Sequence, residues 1–295
     1  MKVVHLESNR LQEFINYCRD NRYEHDESFL SEKELEEFEI KDNPTVLLTD
    51  DKDTIIGAAS LILSQQFRDN RKGRIRILHS SIASVEVYQS MLEPLVKDIK
   101  NIDYIYGFLP ETRENSREIF EKLGFDVERY AWELKIPSDA GKLPAFPDGF
   151  RAESFVEGRD EIAWCTIINE AFKNLAGHMP MTPDKIKIDR DGEEYLENGK
   201  ILLWDQDKAV GLINIAKEAA EEGEIAFIGP IGVLPEYQGK GLGRNLLRMG
   251  IELAKRSGID NTVLTVNAEN SKAADLYLSE GFKKVAVFVC YRKWL

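Results

Sequence analysis

The chain lacks what a membrane, a secretory route or a nucleic acid would require. A run of about eighteen apolar residues, the length a membrane-spanning helix needs, occurs nowhere, so no membrane partner is expected. The chain opens Met1-Lys2-Val3-Val4-His5 and soon turns charged, which does not read as a signal peptide. Cysteine is scarce. Cys18, Cys165 and Cys290 are far apart and odd in number, which suits neither a disulfide framework nor a zinc site and points to a reducing cytoplasm. Positive charge is in deficit, with 39 Lys and Arg against 52 Asp and Glu and a formal net charge of −13. That excess works against a polyphosphate partner such as nucleic acid. Plain solubility is the first reading of that excess, and a cationic acceptor such as an amine also suits it. The 295 residues are too many for one typical domain and about right for two.

What is present concentrates in Gln238-Gly239-Lys240-Gly241-Leu242-Gly243-Arg244. The stretch follows an apolar, strand-like run, Ile225 to Leu234, and opens an amphipathic helical run through Leu242, Leu246, Leu247, Ile251 and Ala254. A glycine-rich turn between strand and helix leaves backbone N–H groups unpaired at the positive end of a helix, and glycine lets a ligand approach the main chain. The combination is an anion site suited to phosphate or pyrophosphate. A magnesium-nucleotide loop is excluded because no Ser or Thr follows Lys240. The dinucleotide fingerprint fails at its third glycine, where Arg244 stands.

A third pattern, Gln/Arg-x-x-Gly-x-Gly/Ala, is met by Gln238, Gly241 and Gly243. Ile231-Gly232-Val233-Leu234-Pro235-Glu236-Tyr237 precedes it; Val266-Asn267-Ala268-Glu269-Asn270, Ala273, Leu276-Tyr277 and Gly281-Phe282 follow at the distance that one helix, one strand and a second helix require. In these blocks the chain resembles the GCN5-related N-acetyltransferase (GNAT) superfamily over residues 150–295. The resemblance implies acetyl-CoA as cosubstrate, with no metal. It also implies a bulge at Gly229-Pro230-Ile231-Gly232, where glycine and proline weaken the strand and two parallel strands part.

Before this region, Pro137 to Gly149 carries three prolines and two glycines and reads as a linker. The first half echoes the second. Ile55-Ile56-Gly57-Ala58 matches Ala209-Val210-Gly211-Leu212, Gly124-Phe125 matches Gly281-Phe282, and Tyr88-Gln89 matches Tyr237-Gln238. After Gln89 the chain reads Ser90-Met91-Leu92-Glu93-Pro94, with no glycine, and Phe120 stands where Tyr277 does. The expected architecture is α/β (α+β). Two tandem GNAT-like domains each have a mixed, mostly antiparallel sheet flanked by helices: 1–136 without a phosphate loop, a linker at 137–149, and an acetyl-CoA domain at 150–295. A monomer fits this arrangement, because two copies can pack on each other; the oligomeric state is left open.

Acetyl transfer needs a polarised carbonyl, a neutral amine and a leaving thiolate that can be protonated. By resemblance, the main-chain N–H near Val233 supplies the donor at the carbonyl, and Ile231 and Val233 are among the expected cofactor-binding residues. Tyr277 is the expected acid, since a phenol can protonate a thiolate; a tyrosine there also packs a core. Gln238, Gly239, Lys240, Gly241, Leu242, Gly243 and Arg244 are the expected cofactor cradle, with Lys240 and Arg244 either meeting phosphate or solvent. Asn270 either binds the pantetheine or caps a helix. The base is not evident: Glu224, Glu269 and His178 are candidates, and Phe227 occupies the place of the glutamate that the resemblance suggests. The function expected is acetyl transfer to the primary amine of a small molecule or peptide. A non-catalytic acyl-CoA-binding protein is the alternative, and a peptidyl transferase using charged RNA fits the acidic balance poorly.

Overall fold

The computed structural model describes residues 1–25, 30–97, 99–186, 188, 190–220 and 223–295. They form two compact units, Met1–Ala131 with Ala286–Leu295, and Trp132–Val285.

The first unit runs β1 (Lys2–His5), α1 (Leu11–Asp20), α2 (Glu32–Glu36), β2 (Thr45–Thr49), β3 (Ile55–Ile62), α3 (Gln65–Asp69), β4 (Lys72–Ser80), α4 (Val85–Lys97), β5 (Tyr104–Pro110) and α5 (Glu114–Lys122), then enters β6 (Asp126–Pro137). Strands β1 to β4 pair antiparallel in sequence order. β4 then pairs in parallel with β5 over Lys72–Arg74 opposite Tyr104–Tyr106. Alternation along β2 and β3 sends Val46, Leu48, Ala59 and Leu61 to one buried cluster with α4, and Leu47 and Ala58 to another with α1. Burial pushes the thiols of Cys18 and Cys290 up to about 12, so both stay neutral packing groups.

The second unit continues with β7 (Phe150–Ser154), α6 (Glu161–Phe172), β8 (Lys200–Asp205), β9 (Lys208–Ala220), β10 (Gly223–Val233), α7 (Leu242–Arg256), β11 (Asn261–Asn267) and α8 (Ser271–Ser279). The chain closes with β12 (Lys283–Trp294); its residues Phe288–Trp294 belong to the first unit, where they pair antiparallel with β5. Strands β7 to β10 pair antiparallel, and β10 pairs in parallel with β11 over Ala226–Ile228 opposite Thr262–Leu264. α7 buries Leu242, Leu246, Leu247, Gly250, Ile251 and Ala254, one stripe at helical spacing, against Ile213, Ile215 and Ile228. α6 covers the opposite face, where Trp164, Ile167 and Ile168 meet Leu202, Leu212 and Leu234.

The segment expected as a linker is bonded into the second unit. Ser138 N donates to Asp260 O at 2.8 Å, Ser138 Oγ and Thr262 Oγ1 lie 2.9 Å apart, and Ala145 N donates to Asn245 Oδ1 at 2.8 Å. Its prolines and glycines shape a strap against α7, where a Cβ on Gly141 would lie 2.4 Å from Ile251.

Candidate active site

The site is built where β10 leaves β11. The register of β10 on β9 slips between Ile228 and Ile231, so Gly229 and Pro230 form the expected bulge; proline has no N–H to give a ladder. The parallel ladder to β11 reaches Ile228, while β10 runs on to Val233. Beyond the bulge, Leu234 N donates to Val210 O of β9 at 2.9 Å. Alternation along the strand then turns the N–H groups of Ile231 and Val233 the other way, into the gap. Among the described residues no side chain accepts from either.

The gap leads to the glycine turn. A helical turn at Pro235–Tyr237 precedes it. The Gln238 side chain then reaches back, donating from Nε2 to Val233 O at 3.1 Å, so this glutamine ties the loop to the strand end. Gly239 and Gly241 adopt φ of +78° and +77°, which L side chains rarely adopt, and open space lies where each Cβ would stand. Asn245 N, donating to Gly241 O at 3.1 Å, is the first amide to close α7. The amides of Leu242, Gly243 and Arg244 therefore form the helix's free N-terminal turn, an anion-binding arrangement.

The side chains around this turn behave differently from one another. Lys240 lies over the Tyr237 ring at 4.7 Å, next to the free amides. The Arg244 guanidinium, expected either at a phosphate or in solvent, is committed elsewhere: it bonds Glu280 and donates to Ser279 Oγ at 3.1 Å. Arg248 grips the same carboxylate at 2.7 and 3.0 Å. Arg248 first, then Arg244, hold the buried Glu280 carboxyl below its usual range, and the pairing joins α7 to the end of α8. Arg244 can contribute its amide to the cradle while its charge is spent on Glu280. Asn270 is the N-cap of α8, its side chain accepting from Ala273 N at 3.4 Å.

Tyr277 lies on α8, half-buried against the main cluster of the unit, its ring 6.1 Å from Phe282. Burial pushes its phenol up to about 12, and no described residue hydrogen-bonds the hydroxyl. The group is a neutral O–H donor throughout the physiological range. It is a weaker acid than a free phenol, better suited to donating a hydrogen bond to a departing sulfur than to releasing its proton beforehand.

The candidate bases are dispersed. Glu224 is exposed at the start of β10 and pairs with Lys217 at 3.7 Å; Glu269 is exposed in the turn before α8; the His178 ring stacks on Phe172 at 6.4 Å. Phe227, half-buried, precedes Ile228 on β10.

The first unit repeats this frame with its openings closed. Ser80 pairs with Gly57 as Val233 pairs with Gly211, and Ser81 N donates to Ile56 O at 2.9 Å as Leu234 N does to Val210 O. The gap-facing amides here are those of Leu78 and Ser80. Leu78 N donates to His25 Nε2 at 3.0 Å and Ser80 N to the Tyr88 hydroxyl at 3.1 Å. Both side chains are buried. Tyr88 lies inside α4, not in a turn before it, so its match to Tyr237 is one of letters alone. Four residues, 81–84, join β4 to α4, where eight, 234–241, join β10 to α7. Phe120 does correspond to Tyr277: Phe125 N closes on Phe120 O as Phe282 N closes on Tyr277 O.

Comparison with known proteins bears on the family and the fold. Residues 163–282 match the model of the acetyltransferase (GNAT) family. Curated relatives include the mycothiol acetyltransferases of Paenarthrobacter aurescens, 29% identical over 60% of this chain and 57% of theirs, and of Kocuria rhizophila, 32% identical over 60% and 61%. The chain thus spans about three fifths of the length of these relatives. Among solved structures, a GCN5-related N-acetyltransferase from Sphaerobacter thermophilus superposes with a TM-score of 0.73 at 19% identity, over 99% of this chain and 95% of that one. A tandem GNAT protein from the clavulanic acid biosynthesis pathway gives 0.70 at 10% identity, over 99% and 98%. At such identities the likeness is one of fold. Among the described residues, no helix is long and apolar enough to cross a membrane, and no cluster of His, Cys, Asp or Glu could hold a metal ion.

Proposed function

Because the chain belongs to the GCN5-related N-acetyltransferase superfamily, we propose that its second unit takes acetyl-CoA as cosubstrate and transfers the acetyl group to a primary amine by direct attack. The observation that carries this reading is the run of main-chain donors that no described side chain meets, from the amides of Ile231 and Val233 in the gap to the first-turn amides of Leu242, Gly243 and Arg244 beyond Gly239 and Gly241. The residues present fit the cosubstrate. The glycine turn is open where side chains would stand, and the helix end favours an anion. Acetyl-CoA would supply the thioester acyl group.

In this reading Gly239 to Arg244 hold the pyrophosphate through main-chain N–H groups, with Lys240 adding charge beside them. The Val233 N–H donates to the carbonyl oxygen, a contact worth about 3 kcal/mol where water is excluded. Ile231 lines the same strand edge, Gln238 fixes its far end, and Asn270 acts by starting the helix that carries Tyr277. The Tyr277 hydroxyl donates to the leaving sulfur. With Phe227 in place of a carboxylate, the amine's proton passes to water. The first unit serves as a degenerate copy of the fold. The acceptors of the mycothiol acetyltransferases are not carried over to this chain.

A protein that merely held acyl-CoA would use the same cradle without needing the Tyr277 phenol as an acid. The test is release of free CoA thiol from acetyl-CoA with a panel of primary amines. Amine-dependent release that falls about tenfold or more in Tyr277→Phe supports transfer. Binding without release by any amine leaves the acyl-CoA-binding reading, and unchanged turnover in Tyr277→Phe removes the assigned acid.

A further inference from the structure

The two faces of the sheet at the bulge are not equivalent. On the α7 face the space is full: a Cβ on Gly250 would lie 2.8 Å from Ile213 and 3.2 Å from Ile228. On the α6 face stands Gly229, which has no side chain, with half-exposed Pro230 and Phe227 beside it. Of the two faces, the α6 face is the one left half-exposed at the bulge.

That face is lined by a polar pair in a row across the strands. Asn214 lies opposite the bulge, between Ile213 and Ile215, which pair with Ile231 and Ile228. Its Nδ2 lies 3.1 Å from where a Cβ on Gly229 would stand. Lys200 pairs with Asn214 on the next strand and donates from Nζ to Asn214 Oδ1 at 2.9 Å. The same ammonium lies 5.1 Å from the centre of the Trp164 ring on α6, which fixes its face. Lys200 is half-buried, and no described carboxylate pairs with it. Burial lowers its pKa, the mark of a cation losing water without gaining an anion. Holding an uncompensated charge there is unfavourable, and an anion arriving beside it relieves the cost.

We propose that Lys200 and Asn214 form the anion-holding end of the acceptor subsite, so that the amine acceptor carries a carboxylate. This rests on the transfer reading above. Lys200 stands two strands from the bulge, roughly 10 Å between backbones, so the amine and the carboxylate are separated by several bonds rather than sharing one carbon. Asn214 positions the ammonium through Oδ1 and presents Nδ2 toward the bulge.

The test compares aminohexanoate with aminohexanol, matched in length and differing in the carboxylate. Aminohexanoate should raise the melting temperature of the wild type and aminohexanol should not. The difference should disappear in Lys200→Met and persist in Lys200→Arg. In acetyl transfer the carboxylate compound should be preferred by about tenfold in kcat/KM, through KM, and Lys200→Met should bring the ratio near one. Equal stabilisation by both compounds in the wild type, or a preference that survives Lys200→Met, overturns the proposal. Acetyl-CoA titration is read separately. Failure to bind it removes the transfer reading, while the melting measurements still decide whether Lys200 holds a carboxylate.

Discussion

Two frames of one design occur in this chain, and they differ in what fills the place where their strands part. In the first unit, β4 leaves β5 beyond Arg74, and the amides of Leu78 and Ser80 are met by His25 and Tyr88. In the second, β10 leaves β11 beyond Ile228, and no described side chain meets the amides of Ile231 and Val233. A buried backbone donor left unmet costs about 1–3 kcal/mol, so each frame must answer for its own opening. The first does so with its own side chains and becomes a finished core. In the function proposed above, the second leaves the donors to a bound ligand, and a glycine turn follows the strand that carries them. The same strands part in both frames, and what meets the freed amides differs.

The strongest way to break the contrast is to close the second frame. Gly241→Asp with Gly243→Asp forces a side chain into the φ of +77° at Gly241 and sets carboxylates where the pyrophosphate would lie. Calorimetry should show acetyl-CoA affinity reduced by at least about a hundredfold, roughly 2.7 kcal/mol. Opening the first frame should act on stability instead. His25→Ala with Tyr88→Phe orphans the amides of Leu78 and Ser80 and should cost about 2–6 kcal/mol in chemical denaturation. A double variant as stable as the wild type would mean that those two contacts do not fill the gap. Asn270→Ala should lower stability by only about 1 kcal/mol, as loss of a helix cap does.

The phenols sharpen the comparison further. Tyr277 has a folded pKa of about 12, against an ordinary value of 10.0. The folded state thus holds this proton more tightly than the unfolded one. Its contribution to stability is fully present below pH 10.0 and is lost as pH rises toward about 12. The difference in phenolate absorbance between wild type and Tyr277→Phe should have its midpoint near that upper value. A midpoint at the ordinary value would mean an exposed ring.

Much of the second frame was legible in the sequence because its signals are local. Gln238, Gly241 and Gly243 mark the turn within six residues, Gly229-Pro230 marks the bulge, and Tyr277 stands four residues before Gly281. What escaped was long-range. His25 meets Leu78 across 53 positions, and nothing near either residue announces it. The charge of Arg244 looked free until Glu280, 36 positions on, was brought beside it. The strap at Ser138–Ala145 read as a linker because proline and glycine report backbone shape and say nothing of the α7 surface that receives it. Lys200 and Asn214 form a pair only through strand register, which the sequence pattern of β8 and β9 did not reveal.

The most direct measurement is the stoichiometry of acetyl-CoA binding to the full chain by calorimetry. If the filled gap and the open gap differ as argued, one molecule binds per chain. Two molecules per chain would show that His25 and Tyr88 do not close the first frame; none would show that the donors of the second frame do not await acetyl-CoA.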